Sequence, residues 1–380
     1  MAYTVTTRTS YGKRLGNSLG GIFTGLLLFL GGTVLIWWNE GRAVKRDKLL
    51  KEAQGQVVEM ADISRINPEF EGKLIHATGF ANTVDSLVDS KYQMGARAIA
   101  MRRDVEYYQW VEHSETQTKD KVGGAQETVT TYTYELEWTP EPVSSSSFHD
   151  PDYRNENFVK EQVEDYTHYA QTVTFGAYKL NDSQVHSISG WVPMPINDTT
   201  SVIYIGKDPS RPDVGDVRIS FSKVMPADVS ILATVAGDSF APFQSKSGKT
   251  FSALSMGNVS QEQMFESEHA ANKMMLWLFR ILGFFIILAG LRSITSILET
   301  LLKVIPFLSR IVGWGVGLVC GIVAFVWTLI VAAIAWIAYR PVVAIILLAV
   351  AAAAIWYFAT HKKKGDVPPV TPEPPATPAV

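Results

Sequence analysis

Residues 20–45 read "GGIFTGLLLFLGGTVLIWWNEGRAVK". The first 19 of these, Gly20 to Trp38, carry no charge. At about 1.5 Å per residue, a helix of that length matches a bilayer core. The polarity then changes at once. Trp37 and Trp38 fit an aromatic belt at a membrane surface, and Asn39, Glu40, Gly41 and Arg42 follow, with Lys45 and Arg46 at headgroup level. The basic flank Arg8, Lys13 and Arg14 would suit a cleaved leader. However, the apolar run is too long for one, and no small-residue cleavage site follows. The stretch therefore reads as a retained span ending in a border. Glu40 and Arg42, two residues apart on a helix, do not face each other, so no acid–base pair is implied.

Working outward, the pattern predicts three more spans. "MMLWLFRILGFFIILAGL" begins at Met274. Ser260 and Gln263 have capping-box spacing, and no Pro or Gly intervenes before Gly283. One stalk-and-span helix over 261–291 is expected, rigidly joined to whatever precedes it. Residues 292–309 place Ile294, Ile297, Leu298, Leu301 and Ile305 on one face, which predicts a helix lying in the interface. Residues 310–339 and 341–358 are apolar, and Tyr339, Arg340 and Pro341 form the turn between them. Residues 359–380 are Pro-rich and are expected to be a disordered tail. Four spans put residues 1–19 and the tail on one side. Nine cations near the membrane on that side against seven on the other favour cytoplasmic termini.

Residues 39–260 then form an extracytoplasmic domain between spans one and two. "GKLIHATGFA", "ARAIAMRRDVEYYQWVEH", "ETVTTYTYELEW", "DVRISFSKV" and "DVSILATVAG" are rich in β-branched and aromatic residues, and "KDKVGG" reads as a hairpin tip. Residues 155–169 are the best internal helix candidate. The fold class is thus an integral membrane protein: four transmembrane helices plus a β-rich (α+β) domain. Residues 43–270 carry a net charge of about −12 against about +9 elsewhere. An acidic middle between basic ends argues against nucleic-acid binding and suits membrane lipid as a partner.

The search for chemistry returns little. The seven histidines show no H-E-x-x-H or H-x-H spacing, and the lone Cys320 excludes a thiolate metal site. No cofactor, metal or catalytic residue is signalled. Ser144 to Ser147 read as a solvated loop, and the sequons at Asn197 and Asn258 are near chance. Gly313, Gly317 and Gly321 recur every fourth residue and read as a helix-packing seam. Arg280 lies about 9 Å into span two at 1.5 Å per residue. An intramembrane charge is a functional hypothesis by default, and a structural role is favoured here because the spans hold no Asp or Glu.

In this order, "NEGRAVK", "EGKLIHATG", "VEYYQWVE", "YTYELEW", "VGDVRISFS", "PFQSKSG" and "YRP" resemble the LUMA (transmembrane protein 43) family over residues 15–341. The resemblance implies four spans, cytoplasmic termini, a lumenal domain and no enzymatic activity. Animal members sit in the endoplasmic reticulum and inner nuclear membrane, self-associate, and bind emerin and lamins. This chain departs from the family at its N-terminus and tail. A prokaryotic relative would sit in the plasma membrane and lack those partners, so they are not carried over.

The expected function is a non-enzymatic, homo-oligomeric membrane scaffold with protein partners unidentified. An oligomeric channel or transport component is the alternative. A membrane-anchored ligand-binding or enzymatic domain is the third.

Overall fold

The computed structural model describes residues 2–196, 200–302, 306–340 and 345. Its principal elements are strand β1 (Tyr3–Thr9), helix α1 (Tyr11–Gln54), and strands β2 (Leu74–Asn82), β3 (Ala100–Asp120), β4 (Gln126–Thr139), β5 (Val217–Val224) and β6 (Ala227–Ala236). Helices α2 (Gln261–Leu302) and α3 (Pro306–Tyr339) follow. The expected fourth span at 341–358, the tail at 359–380 and the Asn197 sequon lie outside the described residues, residue 345 apart.

Two main sheets, antiparallel but for the short parallel pairing of Val58–Glu59 with β2, build the domain. One runs β1–β4–β3–β5; the other is centred on the pair β2–β6. Strand β6 explains how the domain meets the helices. Its residues alternate between two apolar layers, as a central strand covered on both faces must. Val229, Ile231, Ala233 and Val235 enter a core with Ile75, Phe175 and Tyr178. Leu232 points the other way, into a cluster with Leu49, Leu50 and Ala53 of α1 and Met264 and Phe265 of α2. The two helices thus dock on the back of a sheet. A separate core at the base of β3 joins Met101, Val105 and Tyr107 to Val217, Ile219 and Phe221.

Helix α2 starts as the spacing predicts. The Gln263 amide donates to Ser260 Oγ at 3.3 Å and the Ser260 amide donates to Gln263 Oε1 at 3.2 Å, a reciprocal cap. It then runs unbroken to Leu302, so residues 292–302 of the expected interfacial helix are continuous with the span helix rather than a separate element. Residues 292–302 continue the helix, and their small polar groups are taken up by α1. Ser293 Oγ donates to Gly21 O at 2.7 Å, and the Ser18 and Thr300 hydroxyls meet at 2.7 Å.

The helix expected at 155–169 is also absent. Residues 155–165 are irregular and Tyr166–Tyr169 pairs with β3. Asn157 spends its side chain on the Trp110 backbone, and Val159 and Val163 pack into the β3 core.

Helices α1 and α2 pack closely through glycine. A Cβ on Gly25 would lie 2.6 Å from Gly290 O, and one on Gly290 would lie 2.7 Å from Gly25 O. Gly32 and Gly283 form a second close point one heptad away, against Ile287 and Ile36. Removing Cβ atoms lets backbones approach where no hydrophobic effect drives helices together. Helix α3 adds Ala324, Val331 and Ala332 to the Ile36–Ile287 cluster.

Candidate functional site

The border motif, the intramembrane arginine and the turn converge on one junction. Helices α1 and α2 are antiparallel neighbours, so the first turns past span one face the first turns of span two. Glu40, 1% exposed, accepts from Arg280 Nε at 2.6 Å. Asn39 Nδ2 donates to Leu276 O at 2.9 Å, and Asn39 Oδ1 accepts from Arg42 Nε and Nη2 at 3.3 and 3.2 Å. Arg42 also donates to Asn272 Oδ1 at 3.3 Å, and Asn272 Nδ2 donates to Ala43 O at 3.0 Å. One turn further on, Arg46 pairs with Glu268 at 2.7 Å. Asn39, Glu40, Arg42 and Arg46 are each bonded across the helix pair, as buried polar groups require.

Aromatic rings close the junction. The Arg280 guanidinium lies 4.9 Å from the Trp277 ring centre, and Arg42 lies 5.9 Å from Phe279. Tyr339 reaches Gly41, where a Cβ would fall 2.5 Å from its ring, and packs 6.0 Å from Trp37. Arg340 stacks over Trp336 at 5.5 Å. Pro341 is outside the described residues.

The junction therefore gathers Asn39, Glu40, Gly41, Arg42, Arg280 and Tyr339. Local spacing missed the central fact, that Glu40 belongs to Arg280 across 240 residues. A signal was available: a charge in a span seeks a partner, and Glu40 is the carboxylate next to the span one border.

The glycines of α3 behave differently. Among the described residues, Gly321 faces open space, and a Cβ on Gly317 would meet the Arg292 guanidinium of α2 at 2.7 Å. The surroundings of Gly313 fall outside the described side chains.

An apolar groove of about 740 Å³ runs along α2 and α3, lined by Phe284, Phe285, Phe325, Leu329 and Trp336, with Arg280 at its polar end. Elsewhere, His113, Glu135 and Glu137 bring ligand atoms within 4.8 Å of one another on an exposed strand surface. Local spacing could not see this cross-strand group. His113 is already bonded to Glu137 at 2.8 Å, an arrangement a surface ion pair accounts for.

In the domain, Asp216 is fully buried and accepts from Lys160, Tyr204 and the Asp213 amide. Burial pushes its carboxyl up, but these hydrogen bonds outweigh burial and hold it below the usual carboxylate range. Burial and a bond to Glu112 push the Tyr134 phenol up to about 12.

Three helices long and apolar enough to cross a bilayer, a buried polar border and a β-rich domain define a polytopic integral membrane protein. Comparison with known proteins narrows this. The family model described as "Transmembrane protein 43" matches residues 107–341. The Rattus norvegicus protein of that name is 34% identical over 355 residues, covering 88% of each chain. The Homo sapiens protein is 32% identical over 359 residues, covering 89% of each. The Drosophila melanogaster homologue is 29% identical over 353 residues, covering 88% of this chain and 93% of its own. The chain belongs to the transmembrane protein 43 family. No solved structure matches it.

Proposed function

We propose that the protein is a non-enzymatic membrane scaffold that self-associates and organises the membrane through its extracytoplasmic domain. One observation carries this. Helices α1 and α2 run unbroken from the apolar slab into the domain core, and the junction between them spends its polar groups on each other. Such a junction transmits position and holds the domain at a fixed attitude to the bilayer. It leaves its charged groups engaged, which is poor provision for catalysis.

The apolar run 341–358 serves as the fourth span, with termini cytoplasmic. The membrane is the plasma membrane in a prokaryote, and the endoplasmic reticulum and inner nuclear membrane in a eukaryote. Membrane lipid covers the exposed apolar side chains of the spans, including Leu26, Leu30, Ile281 and Phe285.

Amine-reactive cross-linking in native membranes tests the reading. Bands at multiples of 42.0 kDa are expected. A band at 42.0 kDa alone, across reagent lengths, would overturn it.

The channel reading gains from a separate observation. The tip of the β3–β4 hairpin bonds Arg14 at the N-terminal end of α1, which sets Arg8, Glu115 and Lys119 of that sheet alongside span one. Planar-bilayer recordings of the purified protein test it: a steady conductance supports a pore, and a silent bilayer across pH and voltage removes it.

A further inference from the structure

Strand β1 ends at Thr9, and α1 starts at Tyr11. Arg14, 6% exposed in the first turn of α1, pairs with Asp120 at 2.8 Å and donates to Gly124 O at 2.9 Å. The tip of the β3–β4 hairpin therefore sits at the N-terminal end of α1. The other end of β3, at Tyr107, lies in the domain beside Val217, and Leu49 and Leu50 of α1 lie on the domain too. Between these ends, β3 and β4 pair continuously from Tyr107↔Thr139 to Asp120↔Gln126, about 43 Å at 3.3 Å per residue. Residues 14–50 of α1 span about 54 Å. The hairpin thus runs the length of α1 and passes the apolar stretch 20–38. It lies at the depth of the bilayer core.

A sheet at that depth meets a hard constraint. Lipid-exposed open edges do not occur in hydrocarbon, and non-helical backbone survives there only when buried in protein or lining water. Here both edges are open. Among the described residues, β1 pairs only with β4, and so do residues 109–120 of β3, the Tyr108 backbone still bonding Gly215 and Asp216. The Trp110 backbone, facing away from β4, is met by Asn157 at 2.9 Å on both its groups. The same alternation turns the groups of Glu112, Ser114, Thr116 and Thr118 outward, where no strand meets them. Residues 113–119 are exposed on both faces.

The two faces also differ. Arg8, Glu115, Gln117, Lys119 and Glu127 share one face with Thr4 and Thr6. The other carries Val5, Thr7, Thr116, Thr128, Thr130 and Tyr132, with Asp120 reaching Arg14 of α1. Asp120, bonded to Arg14, puts this second face on the α1 side, and the face with Arg8, Glu115, Lys119 and Glu127 looks away. Charged side chains on a lipid-facing sheet would be costly.

We infer that the outer edge of β1 in one copy pairs with the outer edge of β3 in the next. The sheets of several copies close into a ring inside the spans, with the charged face lining an aqueous lumen. Both β1 and β3 are antiparallel to β4, so the new pairing is parallel and every copy keeps one orientation in the membrane. The contact is head-to-tail, the kind that closes into rings. Arg8 and Glu115 share the lumenal face with opposite charges, one on each side of the join. This rests on the self-association proposed above and names its surface.

The full-length protein in lipid nanodiscs allows a test, with Cys320→Ser removing the one native thiol. Thr6 and Gln117 both lie opposite Val129, on either side of β4. Their Cα atoms are two strand spacings apart, about 9.5 Å, beyond the roughly 7 Å limit of a disulfide. A bond between Thr6→Cys and Gln117→Cys must therefore join two copies. The same holds for Thr6→Cys with Glu115→Cys or Lys119→Cys, which scan the register. One register is expected to give a reducible ladder at multiples of 42.0 kDa, its top rung counting the ring. Thr6→Cys with Val129→Cys should close within one chain. A charged thiol reagent should label Gln117→Cys and spare Thr128→Cys. Oligomeric discs with no ladder in any register would overturn the edge pairing and leave self-association standing. Discs holding one copy each would overturn both.

Discussion

The Asn39–Arg42 junction and the distal half of the β3–β4 hairpin both place polar groups beside apolar helices. At the junction, Glu40, Asn39, Arg42 and Asn272 are bonded across α1 and α2 within one chain. In the distal hairpin, one backbone edge of β3 has no strand partner among the described residues and its side chains are exposed. Burial with complete pairing marks a finished structural element. Exposure with an unpaired edge marks one that another copy completes. Changes at the junction should therefore cost stability in single detergent-dispersed chains, and changes at the distal edge should cost assembly.

The largest expected effect is at Arg280. Arg280→Leu leaves a buried carboxylate unpaired and should lower stability by about 3–5 kcal/mol, read by thermal unfolding in detergent. Replacing Glu40 as well should restore much of that loss. A single variant as stable as the parent would break the comparison at its firmest point.

Asp216→Asn comes next and isolates the domain from the membrane. Losing hydrogen bonds to a buried charge should cost about 1.5–3 kcal/mol. The carboxyl is lowered in the fold, so its contribution is complete above its unfolded value, about 3.9, and is lost as pH falls through the lower folded value. The parent should lose stability in that acidic window, and the variant should lose less there. Parallel pH profiles would contradict the assignment.

Gly25→Ala should cost about 1–3 kcal/mol, because its Cβ meets the Gly290 carbonyl rather than a movable side-chain end. Gly321→Ala, in open space, should leave the single chain unchanged. The smallest expected effect is Thr116→Pro. Its lost N–H faces away from β4, where an edge strand tolerates proline, so single chains should change by about 1 kcal/mol or less. Particle mass in lipid should nevertheless fall. A variant that keeps its mass would place assembly elsewhere.

These contrasts track what the sequence made legible. Span one, α2 from its cap through residue 291 and strands β2 to β6 were readable because their causes are local: charge-free length, a cap without a following breaker, and β-branched runs. Residues 155–169 misled because Val159 and Val163 suit a helical face, while Asn157 and the free edge of β3 fix that segment as extended chain. The border motif and Arg280 were visible as separate oddities. Their pairing was not, because antiparallel helices bring together residues 240 apart. The alternating "YTVTTRT" at Tyr3–Thr9 shows strand character, but nothing local names a partner at 126–132.

Self-association is the central claim, and particle mass in lipid nanodiscs tests it most directly. Discs loaded at rising protein-to-lipid ratio should settle at one fixed multiple of 42.0 kDa. Discs that hold a single copy at every ratio would contradict the account.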